Sequence, residues 1–216
     1  MSDRQNILHS LQNYFTDKIT TYGANFRGVD WNSAVRQELC FKQLMRICEN
    51  PTDGTVAQNF SINDYGCGYG ALVQYLVERN YKFASYTGFD ITPAMCDRAR
   101  ELFKNVANCN FTRDENILTV ADYTIACGLL SLKLDNSVEQ WEKYVLQLLD
   151  KLWSLSKNGL AFNSLTKYSD SHLMRPDLYY PDPCFLFDYC KTRFSRNVAL
   201  LHDYGLYEFT ILVRKD

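Results

Sequence analysis

The sequence predicts an α/β protein: a seven-stranded, mostly parallel sheet finished by an antiparallel strand, with a helical cap in front of it. Three observations predict it. Strand and helix patterns alternate from residue 59 to residue 165, as in parallel sheets covered on both faces. A glycine-rich turn, Asp64-Tyr65-Gly66-Cys67-Gly68-Tyr69-Gly70, joins the first strand to the first core helix. The last two strands, 196–202 and 206–213, have only Asp203-Tyr204-Gly205 between them, which reads as a tight hairpin.

Taken in order, residues 3–19 carry Ile7, Leu8, Leu11, Tyr14 and Phe15 on one helical face, with Ser2 and Gln5 placed as a capping box. Residues 22–32 break the pattern. A second helix starts after Asn32 or Ser33, with Val35, Leu39, Cys40, Leu44, Ile47 and Cys48 as its apolar face and Pro51 beyond its end. We read residues 1–54 as a cap or lid and residues 55–216 as the main domain. That domain runs strand 59–64, helix 70–79, strand 85–90, helix 93–105, strand 109–112, strand 121–127, helix 138–156 and strand 159–165. Thr92-Pro93 supplies an N-cap followed by a first-turn proline, and Ser137 with Gln140 opens the long helix striped by Trp141, Val145, Leu148, Leu149, Leu152 and Trp153. Residues 166–191 are an insertion, with a short helix through 184–189 after Asp182-Pro183. It emerges at the carboxyl end of the sheet, where ligands bind in such folds, and is expected to cover a pocket there.

A chain of 216 residues suffices for one α/β domain with a small cap. Its 23 basic and 25 acidic residues nearly balance, and no Lys/Arg run is present. Nucleic acid as the main partner is therefore disfavoured. The eight cysteines include no C-x-x-C pair, and several sit inside apolar elements, as expected of reduced structural thiols in a reducing compartment. Neither Cys nor His falls at zinc-ligand spacing, so no metal is expected. Met1 to Gln5 form no apolar signal region and no run approaches transmembrane length, so a soluble cytoplasmic protein without membrane association is expected.

The glycine turn carries the chemistry. Glycines let the backbone bend tightly and approach a ligand with no Cβ between. Asp64, leading the turn, would repel a pyrophosphate but suits a cationic ligand. About twenty residues beyond Gly70, the strand Ser85–Phe89 ends in Asp90, placed to accept from both hydroxyls of a ribose. The cluster alone is a weak signal; cluster, spacing and terminal acid together are strong.

On these residues the chain resembles the class I S-adenosylmethionine-dependent methyltransferases. Asp64–Gly70 matches their acid-x-G-x-G-x-G motif at every fixed position, and Asp90 matches the acid ending their second strand. Phe111–Asp114, Asp122–Cys127 and Asn158–Asn163 resemble their third, fourth and fifth strands. The resemblance covers roughly residues 55–216 and implies a Rossmann-like sheet in the order 3-2-1-4-5-7-6. It implies S-adenosylmethionine as cofactor, S-adenosylhomocysteine as product, and Asp64, Gly66, Cys67, Gly68, Asp90 and Cys127 around it. Asp114 and Glu115 would face the adenine, the alternative being exposed turn acids. Ile91 would pack on the adenine or ribose, or is a plain core residue. Trp31 and Arg27 would close over the cofactor, unless Trp31 instead staples the cap helices.

The acceptor is not specified by the resemblance. The segment after strand four reads Ala126-Cys127-Gly128-Leu129 rather than the N/D-P-P-Y/F of base-methylating relatives. With the acidic charge balance this favours a small-molecule acceptor, methylated on oxygen or nitrogen. Leu129, Leu130 and Leu132 would form an apolar wall, and Tyr14, Tyr22, Tyr179 and Tyr180 an aromatic one. His202 and His172 are the candidate bases, the alternative being structural histidines. Two further readings stand beside the first: a non-catalytic cofactor-binding module, and an NAD-dependent oxidoreductase. Asp64 and the antiparallel end argue against the latter.

Overall fold

The computed structural model describes residues 3–215, and Ser2, assigned above to a capping box, lies outside the described residues. Among the described residues six α-helices, α1 (Asp3–Tyr22), α2 (Ala34–Met45), α3 (Ala71–Glu78), α4 (Pro93–Leu102), α5 (Val138–Ser154) and α6 (Pro183–Arg193), surround a single sheet. Its strands are β1 (Phe60–Tyr65), β2 (Phe83–Phe89), β3 (Cys109–Thr112), β4 (Ala121–Ala126), β5 (Ser156–Leu165), β6 (Asn197–Leu201) and β7 (Glu208–Arg214). They lie in the order β3-β2-β1-β4-β5-β7-β6, with β7 antiparallel to both β5 and β6. The order and the antiparallel final strand agree with the expectation from sequence.

Local chemistry explains the boundaries. Gly23, at φ 71°, stops α1 three residues later than the pattern suggested. Asn25 accepts from the Arg27 N–H to start a short 3-10 turn over Phe26–Val29. Ser33 caps α2, and Ser137 with Gln140 closes a full capping box on α5. Asp182 accepts from the Cys184 N–H, and the helix it opens runs to Arg193, longer than expected. Two expectations are corrected. Val35 is 74% exposed, because α2 buries Gln37, Cys40, Phe41, Leu44 and Met45 instead. The connection between β6 and β7 is a bent loop, 202–207, rather than a three-residue hairpin.

Two apolar layers flank the sheet. One holds Ile7 and Leu11 of α1 with the α5 stripe, and fully buried Trp141 donates its indole N–H to the Leu130 carbonyl at 2.8 Å. The other packs α2 and α3 against β1, β2 and β4. The insertion does not reach the central crevice. It runs along the 130–135 loop, with Tyr179 N–H bonded to Ser131 O and the Lys133 and Leu134 N–H groups bonded to Asp177 O. Among the described residues no helix is long and apolar enough to cross a membrane.

Candidate functional site

In the observed order the chain leaves β1 toward β2 on one side, while β4 lies on the other. The crevice at such a reversal, beyond the carboxyl ends of the strands, is where open α/β sheets bind ligands. A cavity of ≈ 260 Å³ opens there. Its floor is the Asp64–Gly68 turn, one side is Asp90, Ile91, Arg113 and Glu115, and the other is Cys127, Gly128 and Leu129. Arg4, Leu8, Leu11 and Phe15 of α1 and Val29, Trp31, Gln37 and Phe41 of the cap complete it.

The turn is built from three positive-φ glycines, each crowded where a Cβ would sit; on Gly70 (φ 90°) it would come within 2.6 Å of Phe103. A Cβ on Gly66 (φ 81°) would come within 2.8 Å of Leu129, and one on Gly68 (φ 53°) within 2.8 Å of Val29. Four amides of the turn are already engaged. Gly66 N–H and Cys67 N–H donate to the Phe89 carbonyl at 2.7 and 3.0 Å, Gly68 N–H to Asp90 Oδ2 at 2.9 Å, and Gly70 N–H to Cys67 O at 3.0 Å. A phosphate cradle would need those donors free. What the turn leaves facing the cavity is acceptors: two carboxylates.

Asp64 is 2% exposed and takes a hydrogen bond from the Tyr86 hydroxyl. Burial, reinforced by the negative charge of Asp90 and only partly offset by Tyr86, pushes its carboxyl up to about 7. Asp90 accepts from Thr92 N–H at 2.8 Å and from Gly68 N–H. Its carboxyl is also raised, because desolvation outweighs those two bonds. Neither acid has an ion-pair partner within 4.0 Å among the described residues. Two adjacent carboxylates without a cation, at the bottom of a mostly apolar cavity, form a receptor for a ligand carrying positive charge and hydroxyl donors.

Of the residues singled out from sequence, Asp64, Gly66, Cys67, Gly68, Asp90, Ile91, Glu115, Cys127, Leu129 and Trp31 come together around this cavity. The Trp31 indole lies against Gly128, within 3.3 Å of where a Cβ would sit. Glu115 reaches the wall already occupied: it accepts from the Tyr65 hydroxyl and pairs with Arg4 at 3.2 Å. The Cys127 thiol is held neutral, its pKa raised by burial and by nearby Glu208.

The others lie elsewhere. Asp114 turns back to cap its own 3-10 turn, accepting from Asn116 N–H at 2.9 Å. Arg27 is exposed and lies against the Phe26 ring. Tyr14 donates to Asp30 at 2.7 Å, and Lys18 and Arg175 gather on the same carboxylate, tying α1 to the cap and the insertion. Tyr22 is exposed at the end of α1. Tyr179 is buried against Glu142, and the Tyr180 hydroxyl accepts from Arg175 N–H. His172 and His202 are both exposed and neither lines the cavity; His202 lies between the rings of Tyr168 and Phe209. Leu130 is buried in the α5 layer, while Leu132 reaches the wall. Sequence reasoning missed Arg4, Val29, Gln37, Phe41 and Arg113. Only Gln37 left a trace, as a polar residue interrupting an apolar helical face.

Comparison with known proteins shows the family and the fold. The profile of a methyltransferase domain family matches residues 64–159. A Mycobacterium tuberculosis protein, Rv1506c, which carries a provisional methyltransferase name, is 52% identical over 159 residues, 74% of this chain and 95% of that protein. The fold matches the magnesium protoporphyrin IX methyltransferase of Synechocystis PCC 6803, solved with bound S-adenosylhomocysteine, at TM-score 0.66 and 16% identity, covering all of both chains. It also matches the N-methyltransferase NodS of Bradyrhizobium japonicum WM9, solved with the same molecule, at TM-score 0.63 and 14% identity over 94% of this chain and 97% of that one. The chain belongs to the methyltransferase family and has the Rossmann-like fold of its S-adenosylmethionine-dependent class. Its glycine turn and Asp90 fall within the segment that the family profile covers, whereas the α1 and α2 side of the cavity lies before it.

Proposed function

We propose that the protein transfers a methyl group from S-adenosylmethionine to the oxygen or nitrogen of a small-molecule acceptor. The observation that carries this reading is the pair Asp64 and Asp90, two acids that line one cavity with no ion-pair partner within 4.0 Å among the described residues. S-adenosylmethionine supplies an activated methyl on a sulfonium. The cavity suits it: Asp64 would meet its cationic amino group, and the remaining lone pairs of Asp90 the two ribose hydroxyls. Ile91 and the Arg113–Glu115 side would take the nucleobase, and Gly66 to Gly68 would let the backbone lie close along the chain. The cap of residues 1–54 would close over both ligands, and its contribution is to exclude water and hold acceptor and methyl in line. Neither His172 nor His202 enters this mechanism, because neither lines the cavity; positioning carries the catalysis, and the proton of the acceptor oxygen or nitrogen leaves to water rather than to a side chain. A cytoplasmic setting fits the eight unpaired cysteines.

Methyl-labelled S-adenosylmethionine incubated with the protein and a metabolite extract tests the reading. Label is expected in the small-molecule fraction. Label recovered only in macromolecules would overturn the small-molecule acceptor, and no consumption of the donor with any fraction would overturn the donor assignment.

A further inference from the structure

The cavity has two chemically different ends. The β2–β3 end holds Asp90 and Ile91. The opposite end lies below α2, which packs on β5 and β7, and is lined by Trp31, Gln37, Phe41, Cys127 and Leu129. Gln37 stands out there. It is only 7% exposed, it lines the cavity, and its backbone N–H is engaged with Ser33 O while its side-chain amide has no hydrogen-bond partner among the described residues. The Trp31 indole N–H beside Gly128 also has no acceptor among the described residues. Both groups keep accessible surface on the cavity side, where a ligand or water would complete them. The α2 segment that carries Gln37 is tied to the sheet one turn on: Cys40 donates its thiol to Glu208 at 3.4 Å, and Asn163 donates to Glu208 while accepting the Gly128 N–H at 2.7 Å.

We infer that Gln37 is the polar anchor of the acceptor site, and that the acceptor is a flat, largely apolar, uncharged molecule presenting a paired donor and acceptor to the Gln37 amide. The inference deepens the proposed methyl transfer and rests on it. Charge is the deciding argument. Once a cationic donor has met Asp64 and Asp90, no charged side chain lines the acceptor end: Gln37 and Trp31 are neutral, Phe41 and Leu129 are apolar, burial keeps the Cys127 thiol protonated, and the Glu208 carboxyl behind it does not line the cavity and is engaged by Cys40 and Asn163. A charged acceptor would be desolvated there without a counter-charge. A neutral one pairs with both halves of the amide and lies against the Trp31 and Phe41 rings.

The test measures binding of benzamide, toluene, benzoate and benzylammonium to the protein loaded with S-adenosylhomocysteine, by ligand-observed NMR. Benzamide is expected to bind at least about tenfold more tightly than either charged probe. Gln37→Leu is expected to lower the benzamide-to-toluene affinity ratio about tenfold, the loss of a satisfied buried amide, while S-adenosylhomocysteine affinity stays within about threefold. An unchanged ratio, or a charged probe binding as well as benzamide, overturns the inference. If Gln37→Leu fails to fold or to take up S-adenosylhomocysteine, Gln37→Met is measured in its place; the same failure in both makes Gln37 a structural residue and overturns the inference too. Wild type that does not bind S-adenosylhomocysteine contradicts the donor reading instead, and the probe ratios are then read on the ligand-free protein.

Discussion

Replacing Asp64 by Asn separates what this acid does for binding from what it costs the fold. Inside the protein its carboxyl rises from the ordinary 3.8 to about 7. At about 1.36 kcal/mol for each tenfold change in proton affinity, ionising it in place costs on the order of 4 kcal/mol. The sign follows from the folded value lying above the unfolded one. The stability Asp64 contributes is complete below about pH 4 and is lost as pH rises toward 7. At pH 8 the protein bears nearly the whole penalty, and at pH 5 roughly a third of it. Asp64→Asn keeps an oxygen to accept from the Tyr86 hydroxyl and removes the charge. Urea denaturation followed by tryptophan fluorescence should therefore show the variant gaining stability over wild type, and gaining about 2–3 kcal/mol more at pH 8 than at pH 5. Calorimetry on the same variant should show weaker binding of S-adenosylmethionine, whose cation loses its partner. A gain that does not change with pH, or undiminished affinity, would refute the argument that a desolvated acid is held here for a cationic ligand.

Other expectations follow from the same geometry. Gly68→Ala places a Cβ within 2.8 Å of Val29 on a backbone at φ 53°; it should cost about 1–2 kcal/mol in thermal or chemical unfolding from the left-handed conformation alone and weaken cofactor binding at least about tenfold. Arg4→Ala breaks the half-exposed pair with Glu115; stability should fall by less than about 1 kcal/mol, while stopped-flow release of S-adenosylhomocysteine should accelerate as α1 loosens from the wall. Ser137→Ala removes the capping box of α5 and should cost about 1 kcal/mol with cofactor affinity unchanged.

How much of this was legible in the sequence depends on distance along the chain. Asp64, the glycines and Asp90 were readable because their chemistry is local: a turn, a strand end and a fixed spacing. The sheet order was readable because the motif resemblance implied it, and strand-helix alternation with two closely spaced terminal strands agreed with it. The far wall was not. Arg4, Gln37 and Phe41 belong to helices whose apolar spacing reads as ordinary core, and only packing decides which face meets the crevice. Val35 shows the same ambiguity: periodicity placed it inside, yet the α2 face is rotated so that Gln37 is buried in its stead. The insertion was expected over the pocket because it leaves the correct edge of the sheet. Its polar residues instead bond along the 130–135 loop, and Tyr179 is consumed by Glu142. Asp114 was expected to face the ligand by position in its strand, but an Asx turn on Asn116 is the closer partner.

Titration calorimetry of S-adenosylhomocysteine into wild type and Asp90→Ala at pH 8 tests the central claim most directly. One molecule should bind per chain at sub-millimolar affinity, and the variant should bind at least about 100-fold more weakly, the loss of two charge-assisted hydrogen bonds at about 1.5–3 kcal/mol each, while remaining folded. No heat of binding to wild type, or equal affinity in the variant, would contradict the assignment of this crevice to a sulfonium nucleoside.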